Sequence, residues 1–287
     1  IENTKTYDLD ELSYPGWEVI FKNYIPKMKF LGKGPAVNIY ASKGCPYQCF
    51  YYCVYPLQQG RKLRTKSPQK VIDEMLYFYE KLNVKNFIFR DPVFSLNRPH
   101  TVEICEKLIA LKIKFNICVE THLKNIDDSL AKLLLKAGVK LIYVGIETAD
   151  EEVKKNVNRS SEKNDIQIDK VKFLQKIGID IKAMYIVGLP SDTEETYLKT
   201  LNFSKKVSST YAQFSVFTPY PGTPAFKDYK DKIITSKFEG FNQWKLVFKH
   251  DPIDQVEIRK LLDLSYRKYY LRFSWIYKNF SKFFKLW

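Results

Sequence analysis

The sequence predicts an α/β fold with a parallel sheet, because short apolar stretches alternate with segments of helical periodicity along most of the chain. The predicted strands cover residues 37–41, 86–90, 115–119, 141–146, 180–187 and 213–217. The predicted helices cover residues 68–82, 101–111, 129–137, 166–177 and 193–207. Open doubly wound sheets and barrels share this alternation, so the pattern alone leaves both architectures open.

Local signals support these elements. Ser67 is a favourable N-cap residue, and Pro68 suits the first helical position of the segment that ends at residue 82. Gly138 and Gly178 follow two other predicted helices, as glycines commonly do at a helix C-terminus. The strand segments are short apolar runs, which is typical of strands buried on both faces of a parallel sheet.

Three segments are predicted along the chain. Residues 1–34 form a lead-in, in which proline and glycine interrupt any long element. Residues 35–225 carry the strand–helix alternation and form the predicted core domain. Residues 226–287 form a predicted helical extension.

Composition limits the classes of protein to consider. The chain has 287 residues, with 47 Lys and Arg against 32 Asp and Glu. This surplus fits nucleic acid, a membrane surface, an anionic ligand or simply solvated lysines. No apolar run is long enough for a membrane-spanning helix. The chain starts at Ile1 without a signal segment, and we expect it to be part of a longer protein.

Five cysteines, an odd number, argue against a disulfide framework and favour a reducing compartment, so we expect a cytoplasmic location. Cys45, Cys49 and Cys53 follow the first predicted strand. Thiolates are soft ligands, and three on one loop suit zinc or an iron–sulfur cluster. The alternatives are a structural zinc site, which usually shows paired Cys-x-x-Cys spacings, and buried apolar thiols, which we expect for Cys105 and Cys118.

Three further motifs accompany the cysteine loop. They are GIET at residues 145–148, YIVGLP at residues 185–190 and TPYPGTP at residues 218–224. Together, over about residues 8–270, they resemble the radical S-adenosylmethionine (SAM) superfamily, and in particular the subgroup that often carries an N-terminal cobalamin-binding domain. The lead-in resembles the linker that follows that domain, and the domain itself is absent from this chain.

The resemblance implies a partial (β/α) barrel of six parallel strands with a C-terminal helical extension. It implies a 4Fe–4S cluster on Cys45, Cys49 and Cys53 that cleaves SAM to a carbon radical, which then methylates, cyclises or rearranges an unactivated carbon. A small-molecule substrate and a reductant such as flavodoxin or ferredoxin would be the partners, with cobalamin supplied by the absent domain. The family spaces its last two cysteines by two residues, whereas here there are three. We expect the extra residue to form a bulge.

The resemblance also implies cofactor-binding residues at strand ends. Tyr52 would lie near adenine, Asp91 would accept a hydrogen bond from the SAM ammonium group, and Gly188 would let the backbone approach adenine. Further candidates are Glu120 and His122 for the SAM carboxylate or ribose, and Glu147 and Thr148 for the ribose or methionyl group. Ordinary turn, cap, ion-pair and surface roles are the alternatives for these side chains.

The C-terminal sequence predicts a basic amphipathic helix over residues 275–287, with Ser274 as its cap. A membrane surface contacted through residues 274–287, the protein core and an absent domain are all candidate partners of its aromatic face. A membrane contact would make a lipid- or pigment-like substrate attractive. We expect no nucleic-acid partner, since no RNA-binding domain is evident. The alternative to an enzyme is an iron–sulfur or zinc-binding module, or a family member that has lost SAM cleavage.

Overall fold

The computed structural model describes residues 7–21, 27–28, 31–235 and 237–280. The chain divides into two compact units. Unit one comprises residues 1–45, 62–142 and 177–179, and unit two comprises residues 46–61, 143–176 and 180–287.

Eight strands are present in the described part of the chain. They are β1 (Ala36–Ile39), β2 (Ser42–Lys43), β3 (Arg64–Thr65), β4 (Asn86–Phe89), β5 (Asn116–Thr121), β6 (Val139–Glu147), β7 (Asp180–Val187) and β8 (Tyr211–Val216). Six of them form one sheet in the order β1-β4-β5-β6-β7-β8. The pairs β1–β4, β4–β5 and β7–β8 run parallel. This sequential order of parallel strands is the predicted α/β architecture.

Eleven α-helices connect or follow these strands among the described residues. They are α1 (Trp17–Phe21), α2 (Tyr55–Gln59), α3 (Pro68–Leu82), α4 (Arg98–Ala110), α5 (Asp128–Lys136), α6 (Glu151–Asn156), α7 (Asn164–Lys176), α8 (Glu194–Val207), α9 (Pro224–Tyr229), α10 (Gln255–Tyr270) and α11 (Phe273–Lys278). Short 3-10 helices cover Gln48–Tyr51, Leu123–Asn125, Lys230–Lys232 and Phe238–Gly240.

Helix caps explain where prediction and structure agree or differ. α3 has the predicted bounds, and the Ser67 side chain accepts a hydrogen bond from the Lys70 N–H. α4 begins three residues before its predicted start, because Asn97 caps it with Pro99 in the first turn. Thr193, predicted as the first residue of α8, is instead its cap. β7 has the predicted bounds, and the other predicted strands shift by one or two residues at their ends.

The lead-in packs on the start of α3 within unit one. Leu9 is buried, and the Asp10 carboxylate accepts a 2.7 Å hydrogen bond from the Ser67 N–H. The ring of Tyr14 lies 5.2 Å from that of Tyr77. The N-cap of α3 is thus held by a residue 57 positions earlier in the chain.

Side chains of the C-terminal extension hydrogen-bond the backbone groups along the outer edge of β8 within unit two. The Tyr266 hydroxyl donates to the Phe214 carbonyl at 3.0 Å and accepts from the Phe214 N–H at 3.2 Å. Tyr270 makes the same pair of bonds with Ala212, at 2.7 and 2.8 Å. An unpaired strand edge can associate with another strand. Here the two tyrosine hydroxyls bond the backbone groups that a neighbouring strand would otherwise bond.

The predicted helix over residues 275–287 is realised only in part among the described residues. α11 ends at Lys278, and its N-cap is Arg272 rather than Ser274. Residues 281–287 lie outside the described part of the chain. No helix in the described ranges is both long and apolar enough to cross a bilayer.

Candidate functional site

The cysteine loop forms a helical turn between its second and third cysteines. Cys49 lies in the 3-10 helix Gln48–Tyr51, and the Cys53 N–H donates to the Cys49 carbonyl at 3.1 Å. Residues four apart on a helical turn share one face, and the Cys53 thiol hydrogen-bonds the Cys49 sulfur. The loop therefore accommodates the extra residue in a helical turn, which places the sulfurs of Cys49 and Cys53 on the same side.

Arg159 lies beside this pair of thiols in unit two. Its side chain is only 8% exposed, and its Nη1 lies 3.9 Å from the Cys49 sulfur. Its Nη2 donates to the Gly145 carbonyl and lies 3.9 Å from the Glu147 carboxylate. The sequence analysis did not identify Arg159. The sequence offered one weak signal. Arg159 follows a short helix that begins with acidic residues and ends with basic ones, and arginine is the preferred cation of buried ion pairs.

The surroundings of Cys49 favour its thiolate form. The hydrogen bond from Cys53 lowers the pKa of Cys49 to about 6, against the opposing effect of burial, and the Arg159 guanidinium adds to the lowering. The thiolate is the form that binds metals. This donor set is therefore suited to a thiolate-bound metal group.

Two buried polar atoms next to the cysteines have no hydrogen-bond partner among the described residues. They are Nε of Arg159 and the hydroxyl of Tyr52. Leaving such atoms unpaired costs about 1–3 kcal/mol each, and a polar ligand at this place would recover that free energy. The residues present therefore fit a cluster together with a charged organic ligand.

No three His, Cys, Asp or Glu side chains converge on a position for a single metal ion in the described ranges. A 4Fe–4S cluster bonds each thiolate to a different iron, so its ligands do not need to converge in that way. Cys45 is buried and belongs to unit one.

The GIET motif supplies the other side of the Arg159 environment. Glu147 has a φ of 69°, in the left-handed region that non-glycine residues rarely adopt. A Cβ at Gly145 would collide with the Glu147 carboxylate and lie 3.1 Å from Arg159 Nη2. Unusual backbone angles concentrate at functional sites, and here the motif positions an acid against the buried guanidinium.

Two other predicted residues of unit two are engaged elsewhere. The Thr148 hydroxyl is fully buried and hydrogen-bonds the Thr200 hydroxyl at 3.0 Å. Gly188 has a φ of 72°, and a Cβ there would lie 2.5 Å from Cδ1 of Ile258 on α10. Their assignments to the ribose, methionyl group and adenine stay predictions.

Asp91 anchors the residues that precede the cysteine loop in unit one. Its carboxylate is fully buried and accepts hydrogen bonds from the Ala41 N–H at 3.1 Å and from the Ser42 N–H and hydroxyl. Burial raises the pKa of Asp91 to about 6, against these hydrogen bonds. Its predicted bond to the SAM ammonium group would be additional to three donors already present.

The remaining candidates of unit one lie at the end of β5. His122 is buried, and its Nδ1 accepts a 3.4 Å hydrogen bond from the Lys124 N–H. The backbone carbonyl of Glu120 accepts from the Phe94 N–H at 2.8 Å. The structure thus brings Cys49, Tyr52, Cys53 and Glu147 together around Arg159, and it describes Cys45, Asp91, Glu120 and His122 within unit one. Cys105 and Cys118 are buried, as expected of core thiols.

A protein-family model matches the central part of this chain. The model described as "Radical SAM superfamily" matches residues 39–204, which is more than half of the 287 residues. The match includes the cysteine loop, the GIET motif, Arg159 and Gly188.

Two curated relatives cover nearly the whole chain. An uncharacterized methyltransferase of Pyrococcus horikoshii is 27% identical over 268 residues, which are 92% of this chain and 57% of that protein. The anaerobic magnesium-protoporphyrin IX monomethyl ester cyclase of Rubrivivax gelatinosus is 28% identical over 282 residues, which are 96% of this chain and 49% of the cyclase. The chain therefore spans about half the length of the curated relatives it matches.

A solved structure supports the fold class. It is that of TsrM, a radical SAM methyltransferase from Kitasatospora setae, with cobalamin and a 4Fe–4S cluster bound. It matches with a TM-score of 0.62 at 20% identity, over 69% of this chain and 40% of TsrM. The likeness confirms the predicted partial (β/α) barrel.

Proposed function

Because this chain belongs to the radical SAM superfamily, we propose that it cleaves SAM reductively at a 4Fe–4S cluster and uses the product to functionalise an unactivated carbon. Membership implies the cluster and SAM as cofactors. When bound, the cluster would supply one electron to the sulfonium and so break a carbon–sulfur bond. The alternative, a metal-binding module without SAM cleavage, is kept as an outcome of the test below.

The observation that carries the proposal is the pair of thiols facing a buried guanidinium. Cys49 and Cys53 lie on one side of a helical turn, with Arg159 Nη1 3.9 Å from the Cys49 sulfur. A buried structural thiol has no need of a neighbouring cation, whereas a thiolate does. We propose that these two residues and Cys45 hold the cluster.

Arg159 and Tyr52 would hold the ligand. A guanidinium with an unpaired N–H suits a carboxylate, and the methionyl part of SAM carries one. The Tyr52 ring packs on the Phe217 ring at 6.2 Å between centroids, and this contact holds the Tyr52 side chain in place. The Tyr52 hydroxyl has no hydrogen-bond partner among the described residues. Asp91, Glu120, His122, Glu147, Thr148 and Gly188 complete the proposed SAM site.

We propose methylation or cyclisation as the reaction and a pigment-like molecule as the substrate. Support comes from the relatives, one described as a methyltransferase and the other as a cyclase of a magnesium-protoporphyrin ester. TsrM binds cobalamin. Since the relatives are about twice as long, cobalamin would be bound by sequence outside this chain, and flavodoxin or ferredoxin would be the electron donor.

Anaerobic reconstitution with iron and sulfide is expected to give a brown protein that forms 5′-deoxyadenosine from SAM and dithionite. The matched pair of variants is Cys49→Ala, which removes a proposed ligand, and Cys105→Ala, which removes a buried core thiol. We expect the first to lose the product and the second to retain it, as measured by chromatography. Bound zinc without sulfide, or a cluster that never cleaves SAM, would contradict the proposal.

The end of the described chain presents an exposed aromatic surface, which we propose contacts anionic lipid. Phe273, Tyr277 and Phe280 are 85%, 82% and 62% exposed. On the opposite side of α11, Trp275 is fully buried and donates from Nε1 to the Thr210 carbonyl at 3.1 Å. The sequence after Asp263 contains Lys and Arg and no acid. Aromatic rings beside cations are typical of segments that lie in an anionic membrane interface.

Vesicle flotation tests this surface. The protein is expected to float with vesicles of phosphatidylcholine and phosphatidylglycerol, and to do so several-fold less after Phe273→Ser, Tyr277→Ser and Phe280→Ser are combined. A matched control replaces three other exposed apolar residues by serine, namely Ile234, Phe238 and Val256. Equal flotation of the two triple variants would contradict a membrane contact and favour a protein partner for this surface.

A further inference from the structure

We propose that residues 217–229, here called the clamp segment, fix the turn between Cys49 and Cys53 through a hydrogen bond from Tyr51 to Asp228. Tyr51 and Asp228 are then positioning residues that set the direction of the two sulfurs. The proposal rests on the proposed function only for the identity of the metal group. The geometry of the turn is a property of the chain itself.

The turn needs an external support because of its unusual spacing. Three residues separate Cys49 from Cys53, and the backbone closes through hydrogen bonds from the N–H groups of Tyr52 and Cys53 to the Cys49 carbonyl. A turn this short is only marginally stable by itself, since nucleation costs more than one or two hydrogen bonds return. Contacts with another segment must therefore hold its direction.

The clamp segment supplies three contacts with this part of unit two. At its start, the buried ring of Phe217 packs edge-on against Tyr52, with centroids 6.2 Å apart. At its middle, Gly222 has a φ of 90°, and a Cβ there would lie 3.2 Å from Cδ1 of Leu57. The TPYPGTP motif therefore brings the backbone close to α2.

At the end of the clamp segment, Tyr51 meets α9. Its hydroxyl donates to the Asp228 carboxylate at 3.0 Å. This bond joins residues 177 positions apart in the chain. Bonds to a charged acceptor are stronger and more directional than neutral ones.

These contacts set the orientation of the turn between Cys49 and Cys53. Tyr51 and Tyr52 are consecutive in the turn, and the clamp segment holds one by its hydroxyl and the other by its ring. Holding both residues restricts rotation of the turn about its axis, and so keeps the Cys49 sulfur toward Arg159, 3.9 Å from Nη1. Releasing Tyr51 leaves the ring contact between Tyr52 and Phe217, and apolar contacts are less directional than hydrogen bonds.

The first test uses the protein without a cluster, so it does not depend on the proposed function. Tyr51→Phe, Asp228→Asn and the double variant are treated with iodoacetamide, and the alkylation rates of Cys49 and Cys53 are followed by mass spectrometry. At a pH high enough to ionise both thiols, we expect each single variant to react several-fold faster than the parent, because a released turn exposes its two sulfurs. The double variant should match the singles, because one bond is lost in every case. Asp231→Asn, an exposed acid in the next turn of chain, is the control and should react like the parent.

The second test uses protein reconstituted with iron and sulfide. Release of iron to a colorimetric chelator is expected to be several-fold faster in the same three variants than in the parent and in Asp231→Asn. Thermal midpoints should stay equal across the set, which separates positioning from general destabilisation.

Parental rates of both alkylation and iron release in the variants would overturn the clamp. A double variant whose effect is the product of the single effects would also overturn it, because the two residues would then act separately. A parent protein that takes up no cluster would contradict the proposed function, and the alkylation rates would still decide the clamp.

Discussion

Replacing Arg159 by methionine is expected to lower kcat/KM for 5′-deoxyadenosine formation roughly 10- to 150-fold. The guanidinium is buried beside the Cys49 sulfur, and its Nε has no partner among the described residues. A hydrogen bond to a charged group contributes about 1.5–3 kcal/mol, and each 1.36 kcal/mol is a factor of ten in rate. Methionine keeps most of the packing volume, so the loss would come from the charge and the donors.

A second substitution separates ligand binding from folding. Arg159 is also 3.9 Å from the Glu147 carboxylate, so its removal destabilises that acid. In the double variant Arg159→Met, Glu147→Gln, both charges are gone, and we expect the thermal midpoint to recover while SAM cleavage stays low. Recovery of activity together with stability would mean that Arg159 has a structural role only.

Arg98 provides the matched control for this experiment. It pairs with Asp127 at 2.9 Å, but the two side chains are 45% and 58% exposed. Exposed ion pairs contribute about 0–1 kcal/mol. Arg98→Met should therefore leave both the thermal midpoint and the rate of SAM cleavage near the parental values.

Replacing Lys66 by methionine is expected to lower the free energy of unfolding by about 3–5 kcal/mol at pH 8, as measured by urea denaturation. Lys66 and Glu74 form an ion pair in unit one with side chains only 9% and 1% exposed. The backbone of Lys66 also makes a hydrogen bond within unit one: its N–H donates to the Ala41 carbonyl at 2.8 Å. Methionine removes the cation and leaves the acid buried.

The loss should depend on pH in a defined direction. Burial raises the pKa of Glu74 above its ordinary value of 4.5, and Lys66 opposes this rise. Without Lys66 the pKa rises further, so the folded variant binds a proton that the unfolded chain releases above pH 4.5. Its stability therefore falls as the pH rises, and the deficit should be smaller at pH 5 than at pH 8.

Two controls identify the cause. Lys66→Met combined with Glu74→Leu removes the stranded acid and should restore most of the lost stability. Lys232→Met breaks the ion pair of Lys232 and Asp251, whose side chains are 43% and 65% exposed, and should leave the free energy of unfolding near the parental value. A Lys66→Met deficit that is equal at both pH values would show that lost packing, not the stranded carboxylate, is responsible.

Capping and spacing made part of the fold predictable. α3 and β7 have their predicted bounds, because Ser67 and Pro68 start the helix locally and six of the eight residues in 180–187 are apolar. The alternation of strands and helices predicted a parallel sheet and left its strand order open between a barrel and a doubly wound sheet. The edge of β8 was not predictable, because the hydroxyls of Tyr266 and Tyr270 reach it from α10, more than 50 residues later in the chain.

The candidate site was likewise predictable only in part. Cys45, Cys49 and Cys53 were predicted as ligands because three thiols on a short loop are a local pattern. The helical turn that joins Cys49 to Cys53 was not predicted, since the sequence gives only their spacing. Asp91 was found at its strand end, but its three hydrogen-bond donors come from residues about 50 positions earlier.

By itself, the sequence determined which elements form and predicted which residues bind the metal group, since caps, apolar periodicity and cysteine spacing act over a few residues. Only the tertiary structure decided which charges meet. Arg159 lies 110 residues from Cys49 in the chain, and the burial that strengthens their interaction exists only once the strands between them are folded. A buried pair of charged groups forms where the fold brings two side chains together and excludes water. The local spacing of residues indicates neither of these.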